Sequence, residues 1–224
     1  MDADSQAQPD FWGGQGLDPP ATLSEIAPLA CQDRARAALL RPLPWTQPLL
    51  ALSGPEGTGK TMLLRAWCAG CGARIVEGRE VRGTPWGAHG LAIDALDRGV
   101  DPHVLWALIN RVQAAGVPLV LAGRGEPVSW ARGVPDLASR LRSALRVDIG
   151  PLTPADFEQL VVALARRRFL RLDAEALVWM LDRVERTHAA ALLLVEEIDR
   201  ACRQDPTARP LRWVQRALDT HIEG

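Results

Sequence analysis

A single lysine, Lys60, stands against 25 arginines in this chain of 224 residues, and the formal charges cancel to -1. Near-neutrality excludes a surface given over to polyanions, so little or no direct DNA binding is expected. An apolar content of 47% excludes a disordered chain. Arginine in place of lysine reads as a biased genome rather than as a binding surface. No apolar run is long enough to span a bilayer and no secretory signal is seen, so a soluble, cytoplasmic protein that stays off membranes is expected. The four cysteines, at 31, 68, 71 and 202, form neither a disulfide staple nor a zinc framework. Cys68 and Cys71 make a nominal C-x-x-C late in a helix, without a second ligand pair, and reduced thiols are expected.

What is present gathers around the lone lysine. Leu49 to Leu52 read as a buried strand, and Gly54-Pro55-Glu56-Gly57-Thr58-Gly59-Lys60-Thr61 satisfies the phosphate-loop pattern G-x-x-x-x-G-K-[ST] ahead of an apolar helix. The glycines let the backbone turn its N–H groups onto one phosphate, and the helix that follows adds the positive end of its dipole. Lys60 is expected on the β and γ phosphates and the Thr61 hydroxyl on Mg²⁺, so the cofactors are ATP or ADP with Mg²⁺. Leu91-Ala92-Ile93-Asp94 then has the form of a Walker B strand, whose carboxylate holds Mg²⁺ or its water; the plainer reading of Asp94 is a strand-end cap. Many phosphate-loop ATPases place a second acid directly after that aspartate to orient the attacking water. Here the position is Ala95, and Asp97 needs a different backbone path to replace it. Nucleotide binding is therefore expected, whereas an ATPase activity of the chain's own is not supported.

Around these motifs, strands at Arg74 to Val76, Pro118 to Ala122 and Arg146 to Ile149 alternate with helices such as Asp101 to Ala115, which predicts an α/β fold with a parallel five-stranded sheet. Thr22 or Ser24 caps a short helical segment before the helix that opens at Asp33 and is ended by Pro42 and Pro44. A short helix within Pro135 to Leu145 presents Arg140, which is a solvated helix charge, a sensor of the chain's own phosphate, or a finger offered to a neighbour's γ-phosphate. After Gly150-Pro151-Leu152-Thr153-Pro154 the pattern is helical, at about 156–168, 173–182, 187–203 and 211–221. The expected organisation is an arm over 1–22, a nucleotide-binding domain over 23–150 and a helical lid over 151–224. The run Arg166-Arg167-Arg168 reads as a solvated helix end. Arg186, at the start of an alanine-rich helix, needs an anion for company, either a nucleotide phosphate or a carboxylate such as Glu185. His188 and His221 read as packed or exposed histidines rather than ligands. In the arm, Phe11-Trp12 is a short binding motif or a pair that packs on the parent domain.

Taken together, Leu91 to Asp94, Leu119-Val120-Leu121-Ala122-Gly123, Gly133-Val134-Pro135-Asp136-Leu137-Ala138-Ser139-Arg140-Leu141 and Leu181-Asp182-Arg183-Val184-Glu185-Arg186 resemble the AAA+ module of the DnaA family, and more closely its shorter regulatory branch, Hda. The resemblance spans roughly 22–220, and the absence of the helix-turn-helix domain of DnaA agrees with the near-neutral charge. It implies that Gly54 to Thr61 bind phosphate, that Asp94 is the Walker B acid, that Arg140 is an arginine finger reaching the nucleotide of an adjacent DnaA protomer, and that Arg186 is the sensor II arginine. It also implies DnaA and the DNA polymerase III sliding clamp as partners, and a role in switching the initiator off by promoting hydrolysis of DnaA-bound ATP. A nucleotide-gated adaptor at the replisome and an independent weak ATPase are the alternatives, and a homo-oligomer stays open. The chain departs from the family at Arg124, where a sensor I aspartate is usual. It departs again in the clamp-binding arm, where Gln6 and Phe11 are in place, with Trp12 beside them, but Pro9 replaces an aliphatic residue.

Overall fold

Residues 22–41, 49–82 and 89–222 are described by the computed structural model. The arm with Gln6, Phe11 and Trp12, and the prolines at 42 and 44, lie outside the described residues. Five short strands, β1 (Leu49–Ser53), β2 (Arg74–Glu77), β3 (Leu91–Asp94), β4 (Leu119–Gly123) and β5 (Leu145–Asp148), form one parallel sheet in the order β2-β3-β4-β1-β5. Period-two alternation sends Leu49, Ala51, Ile93, Leu119 and Leu121 to one face and Leu50, Leu52, Ala92, Val120 and Ala122 to the other. Both faces are covered, so the central strands read as unbroken apolar runs rather than alternating ones.

The first face packs on α3 (Pro102–Ala114) and α4 (Pro135–Ser143), through Leu105, Leu108, Ile109 and Val112 of the former and Leu137 and Leu141 of the latter. The second packs on α1 (Asp33–Leu39) and α2 (Lys60–Cys71), where Leu63, Leu64 and Trp67 are buried. Asp101 fixes the start of α3 by accepting from the N–H groups of His103 and Val104. The order of the strands matters for the site, since β4 lies between β1 and β3 and brings the loops after all three to one edge of the sheet.

The helical part holds α5 (Pro154–Arg167), α6 (Ala174–Leu181), α7 (His188–Gln204) and α8 (Pro210–Ile222) around Phe157, Val161, Met180, Leu194, Ile198 and Val214. Helix α5 opens with a capping box: Thr153 Oγ1 accepts from the Asp156 N–H, and Asp156 accepts from the Thr153 N–H at 3.0 Å. Residues 22–26 form turns rather than the helix expected there, and the Thr22 and Ser24 hydroxyls bond to each other at 2.8 Å. That segment joins the two parts of the molecule. Leu23 and Ile26 pack on the sheet side, Leu29 joins the helical core, and the Cys31 N–H donates to Asp156 Oδ1 at 3.4 Å. Burial pushes the Cys31 thiol up to about 11, helped by Asp156, and the Cys68 thiol to about 12, so neither is a ready thiolate.

Candidate phosphate-binding site

Strand β1 runs straight into the loop 54–59, and the loop into α2, so the first turn of the helix faces the space that the loop encloses. Gly57 and Gly59 take left-handed backbone, φ 77° and 86°. Both are also closely covered: a Cβ at Gly57 would lie 2.6 Å from Thr187, and one at Gly59 would lie 2.5 Å from His188 Nε2 and 2.6 Å from Gln32 Nε2. Only glycine meets both demands. Lys60 Nζ donates to the carbonyls of Gly54 and Pro55, at 2.8 and 2.6 Å, and so curls over the loop. Burial lowers the Lys60 pKa, partly offset by Asp94 and Asp97. Thr61 Oγ1 donates to Asp94 Oδ2 at 2.5 Å. The hydroxyl and carboxylate expected to share a Mg²⁺ are thus side by side on hard oxygen donors, which fits the cation.

Past Asp94 the chain turns sharply. Ala95 has φ 53°, and its N–H donates to the Asp94 carboxylate at 2.8 Å. The turn carries Asp97 away to Arg124, whose backbone N–H and Nε donate to it at 2.8 and 2.6 Å. Burial alone would raise the pKa of Asp97; the hydrogen bonds and charge of Arg124 outweigh it and hold the carboxyl below its usual range. Arg124 reaches on to Glu56 of the phosphate loop at 3.0 Å, and Glu56 also accepts from Arg98 at 2.7 Å. The Arg124 guanidinium is therefore balanced by two carboxylates, one from each neighbouring loop. This lattice of Asp97, Arg124, Glu56 and Arg98 was not visible in the sequence, because its members come from three separate loops.

Helix α7 and the segment before α1 close the loop from the other side. The His188 N–H, first in α7, donates to the Gly57 carbonyl at 2.9 Å, and Gln32 Nε2 donates to the Thr58 carbonyl at 2.8 Å. Gln32 Nε2 also lies 3.0 Å from His188 Nε2. The Thr58 carbonyl fixes the Gln32 amide with its NH₂ toward His188, so His188 Nε2 accepts and the ring proton is on Nδ1. Burial pushes His188 down to about 4. A small apolar cavity of about 30 Å³ adjoins this seam, with Ile26, Met62, Leu164 and Leu192 in its walls.

Thr61 at the end of the loop and Asp94 thus come together. Arg186 is exposed and lies just outside α7, whose cap is Thr187, so it does not oppose the dipole from within the helix; it is one residue from the Thr187 that covers Gly57. Arg140 is exposed in the last turn of α4, which leads into the beginning of β5, at the end of the sheet away from the phosphate loop. It is not brought to the chain's own site. No helix among the described residues is long and apolar enough to cross a membrane.

No known family profile matches the chain. Its shape is similar to domain III of the replication initiation protein DnaA from Thermotoga maritima, with a TM-score of 0.74 and 16% identity over 93% of this chain and 100% of that one. It is similar also to AMPPCP-bound DnaA from Aquifex aeolicus, with a TM-score of 0.68 and 16% identity over 92% of this chain and 71% of that one. The RuvB Holliday junction branch migration motor of Thermotoga maritima gives a TM-score of 0.58 and 17% identity over 76% of this chain and 61% of that one. At such identities the likeness is one of fold: an α/β, AAA+-like fold with a parallel five-stranded sheet and flanking helices.

Proposed function

We propose that the chain is a nucleotide-binding regulator of bacterial chromosome replication initiation, which promotes hydrolysis of ATP held by a DnaA partner and turns over little ATP itself. One observation carries this reading. Lys60, Thr61 and Asp94, which would hold phosphate and Mg²⁺, lie together, whereas the position that would orient an attacking water is Ala95 and the next acid along the chain, Asp97, is committed to Arg124. The loop amides from Gly54 to Thr61 would hold the phosphates, Thr61 and Asp94 the Mg²⁺, and Arg186 would read the bound nucleotide from the seam. A bound Mg²⁺ would supply charge neutralisation to the phosphates.

The trans-acting group is Arg140. Its exposure, and its place at the far end of the sheet from its own phosphate loop, support action on a neighbour's nucleotide over sensing of its own. A guanidinium set beside a partner's γ-phosphate neutralises charge that develops as the phosphoryl group leaves, an effect on the order of 10³ to 10⁵ in rate for trans-acting fingers. The sliding clamp is the proposed second partner, through Gln6, Phe11 and Trp12. Hydrolysis by purified DnaA on clamp-loaded DNA tests the proposal: the chain accelerates it, and Arg140→Ala abolishes the acceleration. Equal rates without the chain, with it and with the variant would reject the regulator and leave a nucleotide-gated adaptor.

A further inference from the structure

Helix α5 ends in a way that its own folding does not explain. The Leu170 N–H donates to the Ala165 carbonyl at 2.9 Å and the Phe169 N–H to the Arg166 carbonyl at 3.0 Å, the paired bonds of a Schellman stop. In that stop the residue at 169 must take left-handed backbone, and Phe169 does so with φ 60°. Glycine is usual there, since a Cβ costs roughly 1–2 kcal/mol in this conformation. The ring returns nothing to the fold, being 96% exposed. The residues on either side of Phe169 in the chain line a groove of about 340 Å³, with Val162, Ala165, Leu170 and Leu172 in its walls and Arg166 and Arg171 at its edge. Arg168 is taken by a buried ion pair with Asp199 at 2.9 Å, whereas neither Arg166 nor Arg171 pairs with a carboxylate among the described residues.

We propose that this end of α5 is a docking site for an acidic segment of another protein, one that carries a bulky apolar side chain between carboxylates. Charge complementarity selects the occupant: Arg166 and Arg171 take the carboxylates, the aliphatic walls take the apolar side chain, and the Phe169 ring covers it. Nucleic acid fits less well. Its phosphates want a continuous basic track, which the pairing of Arg168 with Asp199 interrupts, and its backbone offers nothing apolar to an aliphatic wall. The proposal does not rest on nucleotide binding.

Phe169→Gly separates docking from folding, since glycine suits the left-handed position and is expected to raise the melting temperature while removing the ring. Fluorescence anisotropy would follow a labelled peptide of alternating Glu and Leu, its Gln-for-Glu counterpart and a thymidine oligonucleotide against the full chain. The Glu peptide is expected to bind and the Gln peptide not to; Phe169→Gly should raise the Kd about tenfold, and Arg166→Glu with Arg171→Glu should abolish binding. The proposal is overturned if the Glu peptide fails to bind, if it binds Phe169→Gly as it binds the wild type, or if the oligonucleotide is the probe whose binding depends on Phe169.

Discussion

The two halves of the molecule grip the same phosphate loop with opposite chemistry. From the sheet come ionisable groups: Asp94 on Thr61, Asp97 on Arg124, and Arg124 and Arg98 on Glu56. From the other side, formed by α7 and by the Gln32 that precedes α1, come neutral ones: the His188 N–H on the Gly57 carbonyl, the Thr187 side chain over Gly57, and Gln32 with an uncharged imidazole over Gly59. An arriving phosphate changes the charge balance, so the first side has partners to exchange. The second, through these contacts, grips the backbone and glycines of the loop. On the proposed reading, the sheet side would set the response to the charge of the nucleotide, and the other side would hold the loop in shape.

The contrast breaks first at Gly59. An alanine there meets left-handed backbone at φ 86° and contacts of 2.5 Å to His188 Nε2 and 2.6 Å to Gln32 Nε2. The amide of Gln32 can give way, but the buried imidazole cannot without parting α7 from the loop. Gly59→Ala should cost about 3 kcal/mol of stability, from backbone strain and overpacking together. It should also lower nucleotide affinity by about tenfold or more. Denaturant unfolding and a nucleotide titration check both; a variant as stable as the wild type would show that the halves do not depend on each other at this point.

The neutral side should also show in pH. His188 has its pKa pushed from 6.5 to about 4 by burial, and protonation would set its Nε2–H against the Gln32 NH₂, donor facing donor. The unfolded state then binds more protons than the folded one between these values. Stability is full above pH 6.5, falls as pH drops toward 4 and levels off below, by about 3 kcal/mol in all. Asp97 and Asp156, both held below the carboxylate range of 3.8, lose their contributions only at lower pH, so the windows are distinct. Urea unfolding at pH 7 and pH 4.5 should show the loss in the wild type and little of it in His188→Gln; equal losses would place the proton elsewhere.

The sheet side was more legible than the helical side, for physical reasons. Each strand and most helices lie within a residue or two of where periodicity sets them: burial on both sheet faces leaves a near-unbroken apolar run in β1, β3 and β4, and caps such as Asp101, Thr153 and Asp173 mark helix starts. The phosphate loop needs its residues consecutive in the chain, and so it reads as a motif. Gln32 and His188 are 156 residues apart, and nothing local in either marks the pairing. Arg186 falls outside the helix because Thr187 is the better cap. Phe169 was hidden because a Schellman stop announces itself by glycine, and here the position holds a residue that the conformation disfavours.

The smallest effect sharpens the contrast most. Asp97 accepts two hydrogen bonds from Arg124, while the guanidinium itself remains 49% exposed and keeps Glu56 as a second partner. Asp97→Asn retains an acceptor for the Arg124 N–H and removes the charge, so stability should move by less than about 1 kcal/mol. What changes is the balance at the end of β4, beside β1, where Arg124 follows the Gly123 that is paired with Ser53. With one carboxylate fewer to hold it, Arg124 is freer to answer the extra charge of a triphosphate. ATP affinity should rise about threefold with ADP affinity nearly unchanged, and adding Glu56→Gln should extend the difference. Titrations of both nucleotides against both variants decide it. If ATP and ADP shift together or not at all, the ion pairs on the sheet side only brace the loop, and the two halves do the same work by different means.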